Sequence, residues 1–175
     1  MIKVWDADVP CSVFKTRVGN HHEVKNRVLD LISSCGIPHS AINGDQISKT
    51  DWYSKENQPY LGLIEPVLRQ HVERIAKKLN VNAFNITHVW FQQYKTDDRH
   101  NWHMHPECMF SGVYYLELPN DSVGTSFMHM GKEFTLNVSE GEIIMFPSFL
   151  LHRSKPNTSK NNKTVIAFNF NAFPG

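Results

Sequence analysis

A mainly β protein, with a helical part packed on one sheet, is the fold class that this sequence predicts, and three observations carry it. Two segments of helical period, at about 20–35 and 66–79, come first; a series of short apolar runs follows between 86 and 170; and turn signals separate those runs too closely for further helices. Helices followed by strands describe a β-sandwich or open barrel with the helices outside one sheet. The 175 residues, 41% of them hydrophobic, suit one domain over 1–175, with 1–85 as a helical covering part and 86–175 as the β core.

In chain order, residues 2–5 and 12–15 read as short extended pieces. Asn20 stands three residues before Glu23 as in a capping box, and Val24, Val28, Leu31, Ile32 and Cys35 share a helical face before Gly36 and Pro38. His21 and His22 fall in the first turn of that helix, where surface placement accounts for both. Residues 38–59 are polar and irregular, and Trp52 and Tyr53 are expected to pin that loop to the body. Pro66 suits the first turn of a second helix, with Leu68, Val72, Ile75 and Leu79 as its stripe, Lys77 and Lys78 in its last turn and Asn80 beyond its end. Whether Tyr60 to Ile64 belongs to it stays open, because a proline further inside removes a helical hydrogen bond.

From Ile86 the period changes to two, and the run 86–94 ends at Tyr94 before the polar turn Lys95 to Arg99. Further strands are expected at about 110–118, 124–130, 133–138, 141–146 and 163–170, with turns at Asn120-Asp121, Gly131-Lys132 and Glu140-Gly141. Asn157 to Asn162 is a polar tip.

The chemistry concentrates in His103-Met104-His105-Pro106-Glu107. In extended chain alternate side chains share a face, so two imidazoles, or an imidazole and a carboxylate, occupy one small volume. His152, beyond the apolar run Ile143 to Phe146, is the best third ligand. Such a facial set leaves the opposite positions of an octahedral ion open, which suits non-haem Fe(II). The other histidines at 21, 22, 39, 71, 88 and 129 are expected outside the site.

Composition narrows the classes. Eighteen Lys and Arg against 17 Asp and Glu give a net charge of +1, which provides no general field for nucleic acid or acidic membranes. Cys11, Cys35 and Cys108 are odd in number and lack a CxxC, which argues against a disulfide framework and for a reducing compartment. Without an apolar leader or a run of 18 apolar residues, the expected setting is the cytoplasm, or a host's cytoplasm for a phage-encoded chain.

Residues 90–170 resemble the 2-oxoglutarate- and Fe(II)-dependent oxygenase superfamily, in particular a group of short bacterial and phage members. The resemblance lies in His103-Met104-His105-Pro106, in Ser111-Gly112-Val113-Tyr114-Tyr115-Leu116, in Gly141 to Ser148 ahead of His152, and in Ala167-Phe168-Asn169. It implies a double-stranded β-helix, the jelly-roll or cupin-like barrel, using Fe(II), 2-oxoglutarate and O2 to hydroxylate a small-molecule or peptide substrate with release of succinate and CO2. By the same resemblance His103, His105 and His152 hold the metal, with Glu107 as the alternative ligand; an all-imidazole face carries less negative charge, and Asp98 is the candidate anion to compensate for it through a hydrogen bond. The family's carboxylate-clamping Arg is replaced by Lys163, with Tyr115 and Tyr94 expected beside it and Arg153 as the fallback anchor. Arg99, Trp102 and the 39–57 loop are candidates for shaping the substrate pocket.

Three rivals stand beside this reading. One is a barrel that binds metal or a small molecule without turnover, and another is a three-histidine dioxygenase that needs no Lys163. The third, a zinc hydrolase, lacks the helical His-Glu-x-x-His signature.

Overall fold

The computed structural model describes residues 12–41, 43–53, 58–119 and 124–173; the extended piece expected at 2–5 and the turn at Asn120-Asp121 lie outside them. The elements are β1 (Phe14–Arg17), α1 (His21–Ser33), β2 (Ile37–Ser40), β3 (Gln46–Thr50), α2 (Leu61–Lys78), β4 (Ala83–Tyr94) and β5 (His100–His103), followed by β6 (Phe110–Glu117), β7 (Thr125–His129), β8 (Lys132–Thr135), β9 (Glu142–Pro147), β10 (Leu151–Ser154) and β11 (Lys163–Phe173). Strands β1-β9-β6-β11-β4-β3-β2 form a larger sheet and β5-β10-β7-β8 a smaller one. Every pairing among the described residues is antiparallel. Together the sheets make a jelly roll, with the helices on the outer face of the larger sheet.

The strands of the larger sheet are apolar on both faces because both are covered. Ile143, Met145, Ile166, Phe168 and Phe170 pack with Val28, Ile32, Leu68 and Val72 of the helices, while Ile144, Phe146, Val165 and Tyr115 turn inward toward Phe127 and Leu150. Gly112 in β6 lies opposite Phe168 of β11, where a Cβ would come within 2.1 Å of the Phe168 ring. Gly112→Ala is therefore expected to lower stability by about 1–3 kcal/mol, the usual cost of overpacking a filled core. A wild-type denaturation midpoint in urea would count against this contact. The neighbouring pair is polar: Ser111 Oγ donates to Asn169 Oδ1 at 2.9 Å, and both side chains are buried.

Several local expectations are corrected. Asn20 caps α1 by position only, because its side chain makes no capping hydrogen bond. His21 is buried rather than on the surface: its Nε2 donates to Glu140 at 3.2 Å, leaving Nδ1 to accept from the Tyr114 hydroxyl at 2.8 Å. Burial lowers its pKa, in keeping with a neutral ring. Gly141 makes the turn possible, since it sits at φ +85° and a Cβ there would meet the His21 ring at 2.9 Å. His71 is buried too, with Nδ1 3.0 Å from Thr16 Oγ1.

Pro66 lies inside α2, not in its first turn, and residues 61–64 are helical. Its missing N–H falls on the exposed face of the helix, where Gly62 and Pro66 both face solvent. The polar stretch 38–59 is not irregular throughout, because it supplies β2 and β3. Strand β3 extends the larger sheet by pairing Lys49 and Thr50 with Gln93 and Gln92. Asp51 just beyond is fully buried and secures the connection: one oxygen accepts the Phe91 N–H at 2.8 Å, and the other accepts the Tyr60 hydroxyl at 2.5 Å and Gln58 at 2.8 Å. No described helix is long and apolar enough to cross a membrane.

Candidate metal centre and its two pockets

Three histidines converge at one end of the roll. His103 closes β5, His152 lies opposite it in β10, and His105 follows two residues after the end of β5. One ring nitrogen from each lies within 4.8 Å of the others, and their ring centres are 4.2–5.4 Å apart. The strand itself ends at His103, but Met104 points outward between the two histidines, and the His105 N–H donating to the Ser148 carbonyl at 3.1 Å holds the segment beyond the strand in place.

Hydrogen bonding sets the ring tautomers. His103 Nδ1 donates to the Asn101 carbonyl at 2.7 Å and His152 Nδ1 to the Leu150 carbonyl at 2.8 Å, so each ring presents Nε2 as a lone-pair donor. His105 Nδ1 faces a Glu107 oxygen at 3.6 Å. Burial lowers the pKa of all three rings, and mutual proximity lowers His105, to about 4, and His152 further. Three neutral imidazoles with oriented nitrogens are the donor set that a transition metal requires, so these residues fit a bound ion.

Glu107 does not join that group. Its carboxylate is half exposed and accepts from Asn169 Nδ2 at 3.2 Å, so it flanks the His105 ring from outside. Asp98 is also elsewhere: one of its oxygens accepts the N–H groups of Ser48 and Lys95, both at 2.9 Å, and fastens the turn after β4. The anion beside the imidazoles is Asp45, 3.7 Å from His100 Nε2. The His100 ring stacks on His103 with centres 3.8 Å apart, and its Nδ1 accepts from Gln92 Nε2 at 3.3 Å. Gln92 in turn accepts the Tyr94 hydroxyl at 2.8 Å. Asp45, His100 and Gln92 were not singled out by sequence, although the run His100-Asn101-Trp102-His103 places a third histidine one turn of chain ahead of the pair.

Inward of the histidines, a narrow cavity of about 40 Å³ lies between the sheets. Lys163 enters it from the start of β11 only 2% exposed, donating from Nζ to Ser154 Oγ at 2.8 Å, with the ammonium 5.4 Å from the Tyr94 ring centre. Burial depresses its pKa to about 7. Tyr94 lines this cavity; Tyr115 does not, because its hydroxyl is held by Thr125, 2.7 Å from Oγ1 and accepting the backbone N–H at 3.1 Å. Burial raises the Tyr115 pKa to about 12, so the phenol stays protonated. Arg153 is engaged away from the ammonium. It donates to both Glu133 oxygens, at 2.8 and 2.9 Å, and lies over Trp102 at 4.5 Å, which makes Trp102 a packing partner.

Outward lies a pocket of about 410 Å³ that shares Trp90, Gln92, His100, His103 and His105 with the inner cavity. The segment before α2 supplies much of its wall, including His39, which was expected outside the site. Trp52 packs edge-on against Trp90 with centres 4.5 Å apart and so pins its loop as expected. Tyr53 is not pinned: it is 61% exposed and stands at the rim. Arg99 is not part of this wall.

No protein-family model matches the chain, and no curated protein matches it in sequence. Solved structures do match in shape. An oxidoreductase of the 2OG-Fe(II) oxygenase family from Burkholderia pseudomallei superposes with a TM-score of 0.71 at 13% identity, over 90% of this chain and 84% of that one. The 2OG complex of a viral collagen prolyl hydroxylase from Paramecium Bursaria Chlorella virus-1 gives 0.62 at 16% identity, over 90% and 94%. A Trichoplax adhaerens prolyl hydroxylase, in complex with a hypoxia inducible factor peptide fragment, gives 0.63 at 14% identity, over 91% and 83%. The chain thus has the double-stranded β-helix fold of 2-oxoglutarate- and Fe(II)-dependent oxygenases.

Proposed function

We propose that this protein is a 2-oxoglutarate- and Fe(II)-dependent oxygenase that hydroxylates a small-molecule or peptide-borne substrate, releasing succinate and CO2. The observation that carries this reading is the pairing of three converging neutral imidazoles with a buried lysine in one cavity. His103, His105 and His152 would hold Fe(II), and Lys163 would hold the far carboxylate of 2-oxoglutarate. Together the iron and its cosubstrate supply O2 activation for oxidation of a C–H bond.

The chain's own residues account for the rest. The carbonyls of Asn101 and Leu150 fix two imidazole orientations, and Glu107 flanks the third. Lys163, carried on a four-carbon stem, offers a cation to one carboxylate as a point charge rather than as a fork. Tyr94, Val165 and Ala167 line the inner cavity. Because that cavity holds only about 40 Å³, admitting a five-carbon diacid requires its lining side chains to move outward, and the flexible Lys163 stem is suited to do so. The likeness to a hydroxylase solved with a peptide fragment supports keeping peptides in the substrate class.

The same narrowness favours a second reading, a metal-binding barrel that does not turn over 2-oxoglutarate. Anaerobic titration with Fe(II) and then 2-oxoglutarate, followed in the visible range, separates the two. The oxygenase reading expects a metal-to-ligand charge-transfer band that saturates with 2-oxoglutarate. An iron-loaded protein without that band at saturating cosubstrate would sink it.

A further inference from the structure

The two pockets that meet at the histidines differ in charge. Lys163 and Arg153 line the inner cavity, Arg153 with its guanidinium paired to Glu133, and among the described residues no carboxylate lines it. The outer pocket is the reverse: among the described residues its ionisable wall, apart from histidines and Tyr53, consists of Asp45 and Glu107, with no lysine or arginine. Asp45 is buried and its pKa is held below the usual carboxylate range; although burial alone pushes it up, hydrogen bonds from the Asn101 N–H at 2.7 Å and Asn43 Nδ2 at 2.9 Å outweigh that effect. The imidazoles nearest to it are those of His100, with Nε2 at 3.7 Å, and His39, with Nε2 at 4.0 Å. Glu107 stands across the pocket mouth with one oxygen engaged by Asn169.

The remaining wall is aromatic. Trp52 and Trp90 meet edge to face, and Tyr53 packs beside His39 with ring centres 5.4 Å apart at the rim. Electron-rich ring faces and carboxylates attract the same kind of group, a cation that is weakly enough hydrated to leave water. Segregated charge also sorts the two ligands: a dicarboxylate is drawn past the outer pocket to Lys163, while a cation is repelled from the inner cavity.

We infer that the outer pocket recognises a cationic nitrogen, a guanidinium or protonated amine on a flexible chain, carried by the molecule that is oxidised at the adjoining histidines. The identification of that molecule as substrate rests on the oxygenase reading above; the charge preference of the pocket does not. A volume of about 410 Å³ accommodates one amino-acid-sized unit.

The test uses pairs of probes that differ in charge but little in shape, N-acetyl-arginine amide against N-acetyl-citrulline amide, and N-acetyl-lysine amide against N-acetyl-2-aminoheptanoic amide. Binding to the metal-free protein is read by quenching of tryptophan fluorescence, since Trp52 and Trp90 form the wall. At least one cationic probe is expected to bind about tenfold or more tightly than its neutral partner. Asp45→Asn, which keeps an oxygen for the Asn101 N–H, is expected to erase most of that preference, and Glu107→Gln, an exposed change that the fold tolerates, to halve it or more. Equal binding within each pair, no saturation by either cation up to 50 mM, or a preference that survives both substitutions would overturn the proposal. The charge-transfer titration is independent of these arms: a band without charge preference removes this inference alone, whereas charge preference without a band removes the oxygenase reading and leaves a cation-binding pocket.

Discussion

His152→Ala is expected to yield a folded protein whose affinity for Fe(II) has fallen by more than roughly 100-fold, since even the loss of a group supporting a metal ligand costs 10–100-fold. The fold should survive because the apolar sheets, rather than an ion, bury the core; losing the imidazole and its hydrogen bond to Leu150 costs about 1–3 kcal/mol. His103→Ala should behave in the same way. Glu107→Ala should retain iron within roughly tenfold, because its carboxylate flanks His105 and is not among the converging ligand atoms. Iron affinity and succinate formation across the three variants decide the ligand set. If Glu107→Ala loses both while His103→Ala keeps them, the site uses two histidines and a carboxylate instead.

Replacing Lys163 by Met should raise the 2-oxoglutarate concentration needed for half-saturation by roughly ten- to hundredfold, the worth of one charge-assisted hydrogen bond, with iron affinity nearly unchanged. The same substitution should make the protein more stable near neutral pH. The folded-state pKa of Lys163 is about 7, below the 10.5 of an ordinary lysine, so between those values the unfolded chain binds the proton that the folded one has lost. Stability therefore rises with pH through that window in the parent protein, and below pH 7 the fold must hold a buried charge. Met removes the charge and keeps the length, for a gain of roughly 1–4 kcal/mol at or below neutrality. A bound carboxylate favours the ammonium, so 2-oxoglutarate should bind with proton uptake above pH 7 and weaken as pH rises. Calorimetry in buffers of different ionisation enthalpy measures that uptake; Lys163→Met should abolish it. Equal affinity at pH 6.5 and 9 in the parent protein would remove Lys163 as the anchor.

Where burial follows a simple rule, the sequence was legible. The long strands 86–94, 110–118, 141–146 and 163–170 announced themselves as apolar runs, and the structure extends them by at most a few residues. The three histidines also stood out, since metal-ligand side chains are rare next to such runs. What escaped notice has a common cause: it depends on partners far away in the chain. Strands β2, β3, β5 and β10 are four or five residues long and largely polar, so only their pairing defines them. His21 looked like a surface residue because Tyr114 and Glu140, which satisfy it, lie more than ninety positions away. Asp98 and Asp45 were indistinguishable as acids in polar loops; the first is consumed by two backbone N–H groups, and the second reaches the imidazoles only because β3 folds beside β5. Tyr115 projects inward as its place in the strand requires, but a neighbouring threonine claims the hydroxyl.

The double burial of β6 and β11 bears on how the chain finds its pairing. In a sheet wet on one side, sliding a strand by one residue is penalised at once, because its apolar set turns to water. Here both faces are dry, and a slipped β11 would still present Val165, Ile166, Ala167 and Phe168 to apolar surroundings, so greasiness alone discriminates poorly between alignments. Discrimination falls to a few specific matches: Phe168 needs the bare backbone of Gly112 opposite, Asn169 needs Ser111, and the Thr164 hydroxyl needs the carboxylate of Glu117. A one-residue error would break all three and swing Lys163 from the cavity to the helix side. These three matches act as a proofreading device for assembly, and through them the position of the proposed cosubstrate anchor is decided some distance from the metal centre.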